Sequence, residues 1–453
     1  MRTIATRQGR LQANPLISPV FSALLVAAAS GLVACGDPSV DERAAGGGAG
    51  VGASAAEQGL SPRQLLGKRL FEDTALSEPA GQSCASCHDP EHAFAGNNGS
   101  TISAVALGSR ADQHGNRNVP TAMYASFSPA FDVVAELAPA ADDKGSDGGS
   151  DKGSDKGSAE HGAVTTFTPT GGQFWDGRAS SLVDQAKGPF LNPREMNNPD
   201  ANSVLSKIRK RSYADLFRSV YGDDWSNDPE AAFDHVADAI AAFEETARFH
   251  PFSSKFDDSL RGEAQLDPLE ARGFALFQDP EKGNCSSCHV GVPGSRDPHD
   301  WLFTDFTFDN LGIPRNVEIP DNDDPSNFDL GLCAQEGLAS RAPHGFDVAG
   351  VCGAFKVPTL RNIAVTAPYG HNGYFSELRD VVRFYATRDT NPELWYPLGP
   401  DGTPQKFNDL PAEYAVNVNT EEVPYDRHPG DAPRLSDAEI DAIVAFLGTL
   451  SDR

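Results

Sequence analysis

Two short stretches of the chain carry one pattern, Cys84-Ala-Ser-Cys87-His88 and Cys285-Ser-Ser-Cys288-His289. Thiols at i and i+3 can each add across one of the two vinyl groups of a haem b, and the adjoining imidazole then meets the iron from one side as proximal ligand. A zinc site would want four closed ligands from two Cys-x-x-Cys pairs, and a thioredoxin-like dithiol sits in a βαβ pattern without the trailing histidine. Neither accounts for a histidine directly after both pairs, so the sequence predicts two covalently bound c-type haems. Their sixth ligands decide the chemistry. An iron with two strong protein ligands carries electrons, whereas one with an open distal face can bind peroxide. Methionine, the usual partner in cytochromes c, occurs only 3 times, as Met1, Met123 and Met196, and never after the second motif.

Each motif is flanked by similar segments. Gly67-Lys-Arg-Leu-Phe71 precedes the first and Gly273-Phe-Ala-Leu-Phe277 the second, while Asp238-Ala-Ile240-Ala-Ala-Phe243 and Asp441-Ala-Ile443-Val-Ala-Phe446 follow at nearly the same distance. Ile240 with Phe243, and Ile443 with Phe446, form i,i+3 apolar stripes that suit helices packed on something flat and apolar. Agreement of three features in one order predicts a mostly α-helical protein with long loops and two cytochrome c-like haem domains related by duplication, at 61–260 and 261–453. The length of 453 residues with 39% hydrophobic content agrees with more than one core.

The balance of 37 basic against 64 acidic residues, a formal charge of -27, repels phosphate and argues against nucleic acid or anionic membrane surfaces as partners. Arg2, Arg7 and Arg10 precede an apolar run that ends in Leu32-Val33-Ala34-Cys35, which is similar to the bacterial lipobox. Residues 1–35 are therefore expected to be a lipoprotein signal peptide. Lipidated Cys35 would then hold the chain on the periplasmic side of the cell envelope, with membrane contact through that anchor alone. Ordinary signal-peptidase cleavage and an uncleaved anchor are the alternatives. Residues 36–60, rich in Gly, Ala and Ser, read as a disordered tether, and 141–162, where Asp-Lys-Gly-Ser recurs, as an acidic, solvated insertion.

With both haem motifs stand Arg117-Asn118-Val-Pro120-Thr121, Phe174-Trp175-Asp176-Gly177-Arg178, Gln185-Ala-Lys-Gly-Pro189, Glu195-Met196, Val357-Pro-Thr-Leu-Arg361-Asn362 and Thr366-Ala-Pro368-Tyr369-Gly-His371. Together these resemble the bacterial di-haem cytochrome c peroxidase and MauG family, from about Ser61 to Leu450. The resemblance implies that the His88 haem reacts with peroxide, beneath a distal pocket of Glu195, Gln185 and Pro189. Glu195 would move the proton of hydrogen peroxide as general base and acid. It also implies Trp175 as a relay between the haems and one calcium ion held by Asn118, Thr366 and Pro368.

Two places depart from the commoner peroxidase pattern. The histidine that caps the peroxidatic iron in many relatives is replaced by arginine in Ser109-Arg110-Ala-Asp-Gln-His114. His114, four residues on, could reach the iron, but the preferred reading is a surface-loop histidine and an open site. At the second haem, Tyr385 stands where the peroxidases place an axial methionine, which is the MauG pattern. A phenolate is a hard ligand that favours oxidised iron and lowers its potential. Cys333 and Cys352 remain, and their spacing in an exported chain predicts a disulfide.

The expected function is reduction of hydrogen peroxide to water with electrons from a donor cytochrome c or similar small redox protein, whose basic face would suit this acidic chain. The alternatives are MauG-like, peroxide-dependent oxidation of a partner protein's aromatic side chains through a high-valent di-haem state, and a non-catalytic electron carrier.

Overall fold

Helices dominate, and their starting points are written in the sequence. The order is α1 (Pro62–Glu72), α2 (Cys84–Cys87), α3 (Leu182–Leu191), α4 (Ala201–Ile208), α5 (Ala214–Tyr221), α6 (Pro229–Glu244), α7 (Lys255–Arg261), α8 (Pro268–Gln278), α9 (Leu338–Arg341), α10 (Leu378–Thr387) and α11 (Asp437–Gly448). Ser61, Ser254, Asp267 and Ser436 open α1, α7, α8 and α11 with reciprocal capping boxes, so two otherwise orphaned backbone donors are satisfied at each start. This computed structural model describes residues 57–96, 98–137 and 165–453. The expected signal peptide, Cys35, nearly all of the tether and the 141–162 insertion lie outside the described residues.

Two apolar cores form, one drawn from Leu66 to Phe252 and the other from Phe256 to Leu450. They are built alike. In the first, α1 crosses α6 so closely that a Cβ on Gly67 would lie 1.8 Å from the Ala239 carbonyl oxygen and 2.9 Å from Phe243 Cβ. In the second, α8 crosses α11, and a Cβ on Gly273 would lie 1.9 Å from the Ala442 carbonyl oxygen and 2.9 Å from Phe446 Cβ. Only glycine permits such backbone approach. Phe71 meets Phe243 edge-on at 5.5 Å, and Phe277 meets Phe446 at 5.3 Å, in corresponding places.

The described residues also form two small antiparallel sheets. Strand β1 (Asp132–Leu137) pairs with β2 (Thr165–Thr170). Strand β3 (Phe308–Asp309) pairs with β4 (Phe355–Lys356). Between β3 and β4 the chain forms a third apolar cluster, in which Leu332, Leu338 and Ala354 pack with Val133 of β1. A Cys333–Cys352 disulfide closes this segment. Arg117 grips Asp329 through two 2.6 Å hydrogen bonds and reaches Asp176 at 2.6 Å, which fastens the segment to the loops around the site.

A buried ion pair joins distant parts of the second half. Arg361 and Asp257 are both fully buried, meet through hydrogen bonds of 2.9 and 3.0 Å, and the guanidinium also donates to the Trp301 and Pro298 carbonyls. Among the described residues no helix is long and apolar enough to cross a membrane.

Candidate functional site: two cavities that share a wall

The first cavity is lined by Cys84, Cys87 and His88 together with Gln185, Pro189 and Glu195. His88 Nδ1 lies 2.9 Å from the Phe94 carbonyl oxygen. A carbonyl can only accept, so Nδ1 carries the proton and Nε2 keeps its lone pair for a metal. The second cavity repeats the arrangement. It is lined by Cys285, Cys288 and His289, and His289 Nδ1 lies 3.0 Å from the Phe303 carbonyl oxygen. Phe94 and Phe303 both have positive φ, 52° and 56°, a backbone conformation uncommon outside glycine that aims each carbonyl at its imidazole. Burial lowers both imidazole pKa values, keeping the rings neutral, and raises all four thiols. Paired free thiols, a neutral imidazole with Nε2 available and an apolar cavity together fit a covalent haem on each side.

Gln185 and Pro189 lie one turn apart on α3, which packs against α6, and so share a face. Glu195 follows in the loop after α3. Its carboxylate accepts from Asn192 Nδ2 at 2.7 Å. Burial raises its pKa, with Arg178 and the Asn192 hydrogen bond pulling the other way. A carboxyl so placed can hold or release a proton above an iron. His114 does not line this cavity. Its carbonyl accepts from Arg194, while Arg110 is exposed beside Asp112.

Trp175 lines both cavities. Its indole Nε1 donates to the Asn118 carbonyl at 2.9 Å, and its own carbonyl accepts from Lys356 N at 2.7 Å, so the ring is held in the shared wall. The expected calcium residues also gather here. Asn118 Nδ2 donates to the Pro368 carbonyl at 2.7 Å, and Thr366 lines the second cavity with them. A half-turn of the Asn118 amide would present its oxygen instead.

Tyr385, on α10, lines the second cavity and is half-buried. Burial raises its pKa, with Asp309 adding to the effect. Met123 reaches the same cavity, and its sulfur accepts from Asn362 Nδ2 at 3.3 Å.

Two lining residues escaped sequence reading. Tyr425 has its ring 5.4 Å from that of Tyr385, and only long-range packing brings them together. Glu244 lines the first cavity with Oε2 lacking a protein partner, and burial pushes its carboxyl up to about 8. Its signal was present in the repeat, since Phe243-Glu244 stands where the second half has Phe446-Leu447.

Residues 61–265 match the family model described as di-haem cytochrome c peroxidase. The methylamine utilization protein MauG of Paracoccus denitrificans is 37% identical over 86% of this chain and 88% of its own length. Cytochrome c551 peroxidase of Pseudomonas aeruginosa is 30% identical over 76% of each chain. Among solved structures, the diheme peroxidase BthA from Burkholderia thailandensis superposes with a TM-score of 0.74 at 36% identity, covering 87% of this chain and 89% of that one.

Proposed function

Because this chain belongs to the di-haem cytochrome c peroxidase and MauG family, we propose that it is a di-haem c-type peroxidase that reduces hydrogen peroxide to water with electrons from a donor cytochrome c or similar protein. The observation that carries this reading is the contrast between the two cavities. The first is lined by an acid and an amide as well as its histidine, and the second by a half-buried tyrosine.

When bound, the two haems supply the redox chemistry, with iron in the first cavity for peroxide and iron in the second for electron transfer. Cys84, Cys87 and His88 would hold one, and Cys285, Cys288, His289 and Tyr385 would hold the other. Glu195 takes a proton from hydrogen peroxide and returns it to the departing oxygen, a role worth about 10²- to 10⁴-fold. Gln185 and Pro189 shape the pocket so that the peroxide lies beneath that carboxylate. Trp175 relays electrons across the shared wall. Asn118, Thr366 and Pro368 would hold a calcium ion through oxygen donors, and the contact between Asn118 and Pro368 supports that grouping. The similar construction of the two cores supports duplication of one haem domain, divided near residue 260. The lipid anchor at Cys35 and an envelope location belong to the same proposal on the sequence pattern alone.

Tyr385 favours a second reading, peroxide-driven oxidation of aromatic side chains on a partner protein. A hard phenolate ligand suits storage of an oxidising equivalent rather than easy acceptance of electrons from a cytochrome.

The test is stopped-flow addition of hydrogen peroxide to the two-haem protein and to Glu195→Gln. The variant should keep both haems and lose about 10²-fold or more in rate of reaction with peroxide. An unchanged rate would remove Glu195 from the mechanism.

A further inference from the structure

Lys356 lines the second cavity beside Trp175, and the mechanism above leaves its charge unused. It ends β4 and has its backbone N–H on the Trp175 carbonyl. Its ammonium donates to the Gly172 carbonyl and, at 3.4 Å, to Ser128 Oγ. An ammonium has three N–H donors, so one stays free for another acceptor. No carboxylate among the described residues forms an ion pair with it. The acid whose field it feels, Asp176, is already taken by Arg117 and Arg178.

A cation withdrawn from water without an anion is disfavoured, and burial accordingly pulls the Lys356 ammonium down to about 8. Among the other groups of this wall, Trp175, Asn118 and Gln173 are neutral, and His371 is held neutral by burial. Asp309 and Glu422, the carboxylates that line the same cavity, form no ion pair with Lys356, so its positive charge faces a cavity that fits a haem. The haem's only anionic groups are its two propionate carboxylates.

We propose that Lys356 is an anion-binding residue of the second cavity, its ammonium pairing with a propionate of the haem held by Cys285 and Cys288, beside Trp175. The pairing would orient that haem against the relay. A positive charge at the edge of the ring also favours reduced iron over oxidised iron, offsetting part of the opposite pull of a tyrosine ligand. The inference rests on haem attachment alone and does not depend on Tyr385 as ligand.

The experiment is a spectroelectrochemical titration of both haems in the full-length holoprotein, its Lys356→Met variant and its Lys356→Arg variant. At the wild-type midpoint of the second haem, Lys356→Met should raise the oxidised-to-reduced ratio about tenfold, a downward shift of about 59 mV. Lys356→Arg should keep the ratio within about twofold. An unchanged second midpoint in Lys356→Met overturns the proposal, as does a shift confined to the first haem. Should Lys356→Met fail to mature, the propionate bending band in the resonance Raman spectrum decides between wild type and Lys356→Arg. The proposal requires that the second haem's band move when a guanidinium replaces the ammonium, and an unmoved band contradicts it.

Discussion

At the scale of single residues, the two cavities differ less in what holds a haem than in what faces it. His88 and His289 have the same neutral state and the same backbone carbonyl acceptor. The same cavities are lined by a carboxyl in one case and a phenol in the other, groups that do different work. Tyr385→Met exchanges a hard ligand for a soft one, so the second haem should stay low-spin while its midpoint rises by about 59 mV or more, a tenfold change in reduced-to-oxidised ratio. An unchanged low-spin spectrum and midpoint would show that Tyr385 does not bind the iron. Glu244 gives a pH-dependent prediction. Its carboxyl is raised to about 8 in the fold, whereas an unfolded chain ionises near the ordinary value, so the native state holds the proton more tightly. That contribution is fully present below the ordinary carboxyl pKa and is lost as pH rises toward 8. Glu244→Gln should therefore leave thermal stability nearly unchanged at pH 4.5 and increase it by roughly 4 kcal/mol at pH 8. Equal effects at both values would mean that the carboxyl is ionised throughout.

At the scale of elements, one device is used twice, a glycine at a helix crossing that lets α1 lie on α6 and α8 on α11. Gly67→Ala and Gly273→Ala each drive a methyl group into a backbone carbonyl, which cannot rotate away. Each should cost about 1–3 kcal/mol in denaturant unfolding. Loss of haem absorbance should begin in the core that carries the substitution, and a cost below about 0.5 kcal/mol would mean that the crossing relaxes freely. Gly67 and Gly273 were legible in the sequence because the repeat placed each four residues before a phenylalanine. The partners of the two histidines were not. Phe94 lies six residues beyond His88 and Phe303 fourteen beyond His289, and backbone carbonyls carry no residue-type signature. The β1–β2 hairpin was hidden for another reason. Its strands flank the acidic insertion, whose composition reads as loop, and their partners Leu332 and Leu338 lie far along the chain.

At the scale of the whole molecule, the two Cys-x-x-Cys-His motifs were legible from their own spacing, whereas Glu195, Gln185, Pro189, Trp175 and Tyr385 were singled out by the family resemblance, and the fold brings all of them into the cavity linings. What the chain had to fold to reveal is the wall between the cavities. There Trp175, Asn118 and Lys356, from three separated segments, meet. The formal charge of -27 belongs to this scale as well. A basic donor should be steered to such a surface, so its rate should fall about tenfold or more as ionic strength rises from about 0.01 to 0.15 M and the Debye length shrinks from roughly 30 to 8 Å. A salt-independent rate would point to a neutral or acidic donor.

The central claim is that peroxide reacts in the first cavity and that its electrons arrive through the second. The most direct test adds hydrogen peroxide to the purified two-haem protein in the presence of reduced cytochrome c and follows both by absorbance. The account predicts two equivalents of cytochrome oxidised for each peroxide consumed. Two low-spin haems that leave peroxide untouched would contradict it and identify a plain electron carrier.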